Sequence, residues 1–131
     1  MSVTWTPQIA TNVNSVDEQH KTIINEINHL LELMRKGKAR NEISEVIEFL
    51  DNYTKTHFSD EEKIMAKHNC PIAEINKQQH EIFLTKIANY KEMINNESAK
   101  TLVTLDLKKE LMDWFINHIT KIDMQLRDCV K

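Results

Sequence analysis

Four segments of this 131-residue chain carry apolar residues at steps of three and four, and one glycine and two prolines are all that punctuate them. That spacing turns one helix face inward. So few turn-forming residues leave an all-β chain without its connections and favour long helices with few breaks. The first stripe is His20, Ile23/Ile24, Ile27, Leu30/Leu31 and Met34; the second is Ile43, Val46/Ile47, Leu50, Tyr53/Thr54, His57, Glu61 and Ile64/Met65. The third is Ile72, Asn76, His80, Phe83, Ile87, Tyr90 and Ile94; the fourth is Leu107, Leu111, Trp114/Phe115, His118, Ile122 and Leu126. The expected helices span about 17–36, 41–67, 71–95 and 104–128. Short connections make neighbours antiparallel, so the expectation is an all-α, up-down-up-down four-helix bundle in one domain, 1–131, with residues 1–16 as an N-terminal arm.

Local signals refine the ends. Ser15 followed by Glu18 reads as a capping box for the first helix. Asn12 is suited to a left-handed turn. Gly37, between Lys36 and Lys38, supplies a C-terminal cap. Pro71 suits the first turn of the third helix, where its missing N–H costs nothing.

A net charge of −3 and the lack of a basic stripe argue against nucleic acid as a partner. No apolar run reaches membrane-spanning length, so no membrane partner is expected. Met1 to Pro7 has neither a basic n-region nor an apolar h-region, so no export signal is expected and residence is expected to be cytoplasmic. Cys70 and Cys129 form no C-x-x-C pattern; a disulfide framework is not expected, and both are read as ordinary thiols.

Each stripe also carries histidine or carboxylate where a core would normally be apolar. A titratable group there is costly without a partner. His57 and Glu61 are four apart, one turn along one face, as are Asn76 and His80. His118 and Asp123 are five apart, about 140° around a straight helix, so both meet one site only if the helix is locally widened, as by a π-type turn between them, or if Asp123 approaches obliquely. Antiparallel neighbours put His20, Glu61, His80 and His118 toward one end of the bundle. Histidine and carboxylate without thiolate are the ligands of a non-haem metal of mixed N/O coordination. Two acids among several histidines point to two bridged ions. Empty, the same set would bury Glu61 and Asp123 at a cost of roughly several kcal/mol. His29, on the far side of its helix, and His68, about 10 Å along the axis from Glu61, are expected to be uninvolved.

Asp17-Glu18-Gln19-His20, His57-Phe58-Ser59-Asp60-Glu61 with Met65, and Trp114-Phe115-Ile116-Asn117-His118-Ile119 with Asp123 resemble, in order, the motifs of the hemerythrin family, in particular its short stand-alone bacterial members. The resemblance runs from Trp5 to Asp123 and implies a non-haem di-iron centre, Fe2+/Fe3+, with an oxo or hydroxo bridge. It implies His20 and His57 on one iron, His80 and His118 on the other, and Glu61 and Asp123 across both. The family's further histidine, four residues before His80, is Asn76 here, and the tyrosine usual before the proline is Cys70. A water or hydroxide held by Asn76 is the expected substitute, an indirect metal contact.

The function so implied is binding of dioxygen or another small diatomic or peroxide ligand, as carrier, store or sensor. Ile24, Phe83, Trp114 and Ile119, beside or one turn from a ligand, are the expected apolar ligand pocket. The alternative is a di-iron enzyme acting on peroxide, dioxygen or nitric oxide, because the second iron lacks its third histidine. No general acid or base beyond the ligands stands out, so no catalytic residue is assigned.

Overall fold

The computed structural model describes residues 3–130, and it is all helical apart from the connections. The rods are α1 (Asn14–Arg35), α2 (Ala39–Lys67), α3 (Ala73–Met93) and a composite fourth. The fourth comprises α4 (Lys100–Lys109), a π segment (Glu110–Phe115), α5 (Ile116–Lys121), a 3-10 turn (Asp123–Gln125) and α6 (Leu126–Cys129). α2 packs against α1, α3 and α4, and α4 also touches α1 and α3, which makes the bundle. Its main core runs from Ile23, Ile27 and Leu30 of α1 through Ile43, Ile47 and Leu50 of α2 to Ile87, Leu107 and Phe115. Among the described residues no helix is long and apolar enough to cross a membrane.

Helix ends follow local chemistry where the backbone decides and tertiary contacts where it does not. Gly37 sits at φ +71°, with the N–H of Lys38 on the carbonyl of Leu33 and that of Gly37 on Met34. This is the expected cap of α1. Asn69, at φ +52°, closes α2 the same way, with Cys70 N–H on Met65 and Asn69 N–H on Ala66. Asn12 is in the left-handed region as expected, at φ +66°.

The capping box does not form. α1 starts at Asn14 with Val13 as its N-cap and no side-chain cap. Instead the N–H and hydroxyl of Thr11 both donate to Asp17 Oδ1, at 2.7 and 2.8 Å. The arm thus folds back over the first turn, and that contact sets the helix start. Asn28 pins the arm further along, exchanging hydrogen bonds with the backbone of Val3 at 2.7 Å each. α3 begins at Ala73, not Pro71, because the carbonyl of Cys70 accepts the Ala73 N–H and keeps Pro71 in the turn. The fourth rod starts at Lys100, after Asn96 caps a short 3-10 turn through the N–H of Ser98.

Two expectations are corrected. The π turn lies upstream of His118, at Glu110–Phe115, not between His118 and Asp123. The wide turn shifts the helix phase, so that Leu111, Phe115 and His118 all face inward while Trp114 is only half-buried. Asp123 is then reached by ending α5 and tightening into a 3-10 turn. Second, Cys70 and Cys129 are not free thiols. They form a disulfide, with Cα atoms 5.5 Å apart, joining the α2–α3 connection to the end of α6. The residues stand 59 apart in sequence, and bundle packing alone makes them neighbours.

Candidate metal centre

Six side chains converge near one end of the bundle: His20 from α1, His57 and Glu61 from α2, His80 from α3, His118 from α5 and Asp123 from the 3-10 turn. All are buried. They fall into two sets of four, His20/His57/Glu61/Asp123 and Glu61/His80/His118/Asp123, with ligand atoms within 4.8 Å of one another in each set. Both sets contain both carboxylates.

The carboxylates divide their oxygens between the sets. Glu61 Oε2 lies 3.6 Å from His20 Nε2 and 3.4 Å from His57 Nε2, while Oε1 lies 3.2 Å from His80 Nε2. Asp123 Oδ2 lies 3.0 Å from His20 Nε2, and Oδ1 lies 3.2 Å from His118 Nε2. His80 Nε2 and His118 Nε2 are 3.1 Å apart. Nitrogen and oxygen lone pairs thus crowd two adjacent points.

Three of the four outer ring nitrogens are already engaged; His20 Nδ1 has no partner among the described residues. His57 Nδ1 is 2.7 Å from Gln19 Oε1, His118 Nδ1 is 2.7 Å from Gln79 Oε1, and His80 Nδ1 is 2.9 Å from Glu62 Oε2. Gln19 is held with its oxygen toward His57 because its amide nitrogen donates to Asp60 at 2.9 Å. An acceptor at Nδ1 puts the proton there and leaves Nε2 with a free lone pair, the tautomer a metal requires. Phe58 stacks on His80 with ring centroids 3.8 Å apart, and Trp114 stacks on His118 at 4.9 Å. Both stacks restrict ring rotation.

The electrostatics have the strain expected of such a set. Burial would lower the His20 imidazole, but Asp123 and Glu61 beside it push it up to about 9. Burial pulls His57 down to about 3, with Glu61 opposing only in part. His80 is raised: burial opposes, but its bonds to Glu61 and Glu62 prevail. Burial would raise Asp123, yet His118 and His20 hold it far below the usual carboxylate range. One imidazole is pushed toward the cation and its neighbour away from it, within one cluster.

The buried polar atoms test whether a metal pair fits. His20 Nε2, His57 Nε2, Glu61 Oε2 and both oxygens of Asp123 are buried without a hydrogen-bond partner among the described residues. Buried polar atoms are seldom left so. All of them face the two points where cations would sit, and two divalent or trivalent ions would satisfy them together. The residues therefore fit the group.

Asn76 sits within reach of the cluster and is fully buried. Its amide nitrogen donates to Glu61 Oε1 at 2.9 Å and to Met65 Sδ at 3.1 Å. Of the expected pocket, Ile24, Phe83 and Ile119 are buried in the bundle. Trp114 stacks on Phe83 at 5.0 Å and also lines an open surface groove of about 270 Å³ with Gln79, Asn117 and Lys121. His29 is exposed and paired with Glu26 at 3.9 Å, and His68 caps the end of α2. Neither reaches the cluster.

The residues not foreseen are Gln19, Gln79 and Glu62. A signal exists: Gln19 and Gln79 each directly precede a histidine of the cluster. Each nevertheless serves a histidine of another helix, so the pairing is invisible along one stripe.

Two adjacent sets of histidine and carboxylate that share both acids, in a four-helix bundle with histidines on every rod, define a bundle with a buried candidate site for a pair of metal ions. Residues 11–129 match the family profile described as the hemerythrin HHE cation binding domain, and this chain belongs to the hemerythrin family. It is 34% identical over 127 residues to a bacteriohemerythrin of Pseudomonas aeruginosa (strain LESB58), covering 97% of this chain and 80% of that one. It is 31% identical over 129 residues to a bacteriohemerythrin of Methylococcus capsulatus (strain Bath), covering 98% and 96%. A hemerythrin of Phascolopsis gouldii is 25% identical over 123 residues, covering 94% and 89%. The fold superimposes on a crystal structure of a hemerythrin mutant with a TM-score of 0.80 at 28% identity, over 98% of this chain and 96% of that one.

Proposed function

We propose that this chain is a non-haem di-iron protein that binds dioxygen reversibly, as a carrier, store or sensor, in the cytoplasm. The observation that carries the reading is the division of Glu61 and Asp123, each with one oxygen toward either half of the cluster. His20 and His57 would hold one ion, His80 and His118 the other, and the two carboxylates would span both. Bound there, a pair of irons supplies reversible electron transfer to a small diatomic ligand. The protein's own part is to fix and shield. Gln19, Gln79 and Glu62 hold three imidazoles in the metal-ready tautomer. Ile24, Phe83 and Ile119 exclude water, and Trp114 covers His118. A dry, apolar surround of this kind favours an uncharged ligand over solvent.

Iron analysis with optical spectra under anaerobic and aerobic conditions tests the reading. Two irons per chain and a spectrum that air changes and vacuum restores are the expected result. A protein that takes up no iron would end it.

A second reading is favoured by Asn76, which stands where the family carries a further histidine. Its amide is shorter than imidazole, and its nitrogen is engaged with Glu61 and Met65. The His80/His118 ion would then keep a position open to solvent, peroxide or nitric oxide, and the chemistry would move from carriage toward oxidation or reduction of those ligands. Asn76→His discriminates. It should slow the conversion of air-exposed reduced protein to its oxidised spectrum and decrease any peroxidase activity. If both stay unchanged, coordination at position 76 does not control the chemistry.

A further inference from the structure

We propose that the Cys70–Cys129 disulfide is a thiol-exchange site that governs how tightly the two shared carboxylates close over the metal pair; the link to metal retention rests on the di-iron reading above. Asp123 is the one member of the six whose backbone lies outside an α-helix, in the 3-10 turn after α5. The chain from Asp123 onward has little of its own to hold it. α6 is a single turn of four residues, too short to be stable alone. Leu126 anchors it in a small apolar cluster with Val16, Met65 and Cys70, apart from the main core. Arg127 adds hydrogen bonds to the carbonyls of Pro7, Gln8 and Ala10. The disulfide, at the last residue of α6, is the only covalent cross-link between this segment and the rest of the bundle among the described residues, apart from the main chain itself.

Its other end reaches the second carboxylate. Cys70 follows the cap of α2, with its N–H on the carbonyl of Met65. The sulfur of Met65 accepts from Asn76, and Asn76 donates to Glu61. One covalent bond therefore joins the segment behind Asp123 to the segment behind Glu61.

Access is asymmetric. Cys70 is 5% exposed, whereas Cys129 is half-buried at the surface end. The partner chemistry is that of a small dithiol or a dithiol protein. Its thiolate attacks Cys129 Sγ, the S–S bond breaks, and Cys70 leaves as a thiolate that takes a proton. The second thiol of the reductant attacks the mixed disulfide and releases Cys129. The protein gains two electrons and two protons as two thiols, and the dithiol becomes a disulfide. A reducing dithiol pool would drive this reaction forward, and a pool rich in the corresponding disulfide would reverse it by taking the two electrons and two protons back.

The test uses the full iron-loaded chain and follows iron transfer to a chelator with the disulfide intact and after dithiothreitol treatment and its removal. Reduction should speed iron release at least about tenfold, the scale on which supporting contacts tune a metal site. Cys129→Ser should release iron at the fast rate without reductant and should not respond to it. Equal rates before and after reduction overturn the proposal, as does a Cys129→Ser variant that still responds to dithiothreitol. Amide hydrogen exchange of residues 122–129 in metal-free protein separates the clasp from the iron reading. Faster exchange after reduction supports the clasp even if no iron binds, and unchanged exchange refutes it even if iron does.

Discussion

Glu61→Gln isolates the shared-carboxylate argument, because it removes a charge and almost no volume. Gln can still accept the Asn76 hydrogen bond at the Oε1 position, so the packing around it should hold. What it loses is an anionic donor to both halves of the site at once, through contacts of 3.2 Å to His80 and 3.4 Å to His57. A buried four-ligand metal site contributes roughly 10–16 kcal/mol, or about 2.5–4 kcal/mol per ligand. The ion beside His20 and His57 would fall from four protein donors to three, which weakens it about 10²–10³-fold, and the other would keep a neutral oxygen in place of an anionic one. Glu62→Gln gives the scale. It touches only the outer nitrogen of His80, so it should cost about 10–100-fold and mainly at one ion. His29→Ala, on an exposed face, should cost nothing measurable. Competition against a calibrated chelator, with iron per chain measured alongside and circular dichroism to confirm the fold, reads all three. Glu61→Gln retaining two irons at a chelator midpoint within about threefold of the parent would refute the shared-ligand argument.

Phe58→Ala should lower the unfolding free energy by about 3–5 kcal/mol in denaturant titrations, since Phe58 is 1% exposed and packs on His80, Phe83 and Phe115; a loss below about 1 kcal/mol would mean the site collapses freely around the gap. Metal-free protein should be most stable near pH 6.5, judged by thermal midpoints from pH 5 to 9.5. His57, lowered from 6.5 to about 3, contributes fully above 6.5 and loses its contribution as pH falls; His20, raised from 6.5 to about 9, contributes fully below 6.5 and loses it as pH rises toward 9. Iron, which holds the imidazoles unprotonated, should flatten that profile, and a flat metal-free profile would show the imidazole shifts to be wrong. Reducing the disulfide should cost up to about 4 kcal/mol of equilibrium stability, from the 59-residue separation it closes. Identical denaturation curves before and after reduction would show that the α6 segment is held without it.

The stripes were readable because a helix turns a spacing of three or four residues into a face, whatever surrounds it. His20, His57, Glu61, His80 and His118 could therefore be placed inward from sequence, His57 and Glu61 on one turn, and the short breaks implied antiparallel rods. Gly37 and Asn12 were legible for a related reason: positive φ is a property of one residue and its immediate neighbours. The π segment at Glu110–Phe115 was not, since many sequences tolerate a wide turn and packing of Phe115 against Phe58 of α2 and Phe83 of α3 selects where it falls. Gln19 serving His57, Gln79 serving His118 and Glu62 serving His80 were hidden too, each being a contact between different helices. So were the Thr11–Asp17 clamp that replaced the capping box and the Cys70–Cys129 bond. Periodicity says which way a side chain points from its own axis. Which partner it meets depends on the rotation and axial offset of another rod, and only the packed bundle sets those.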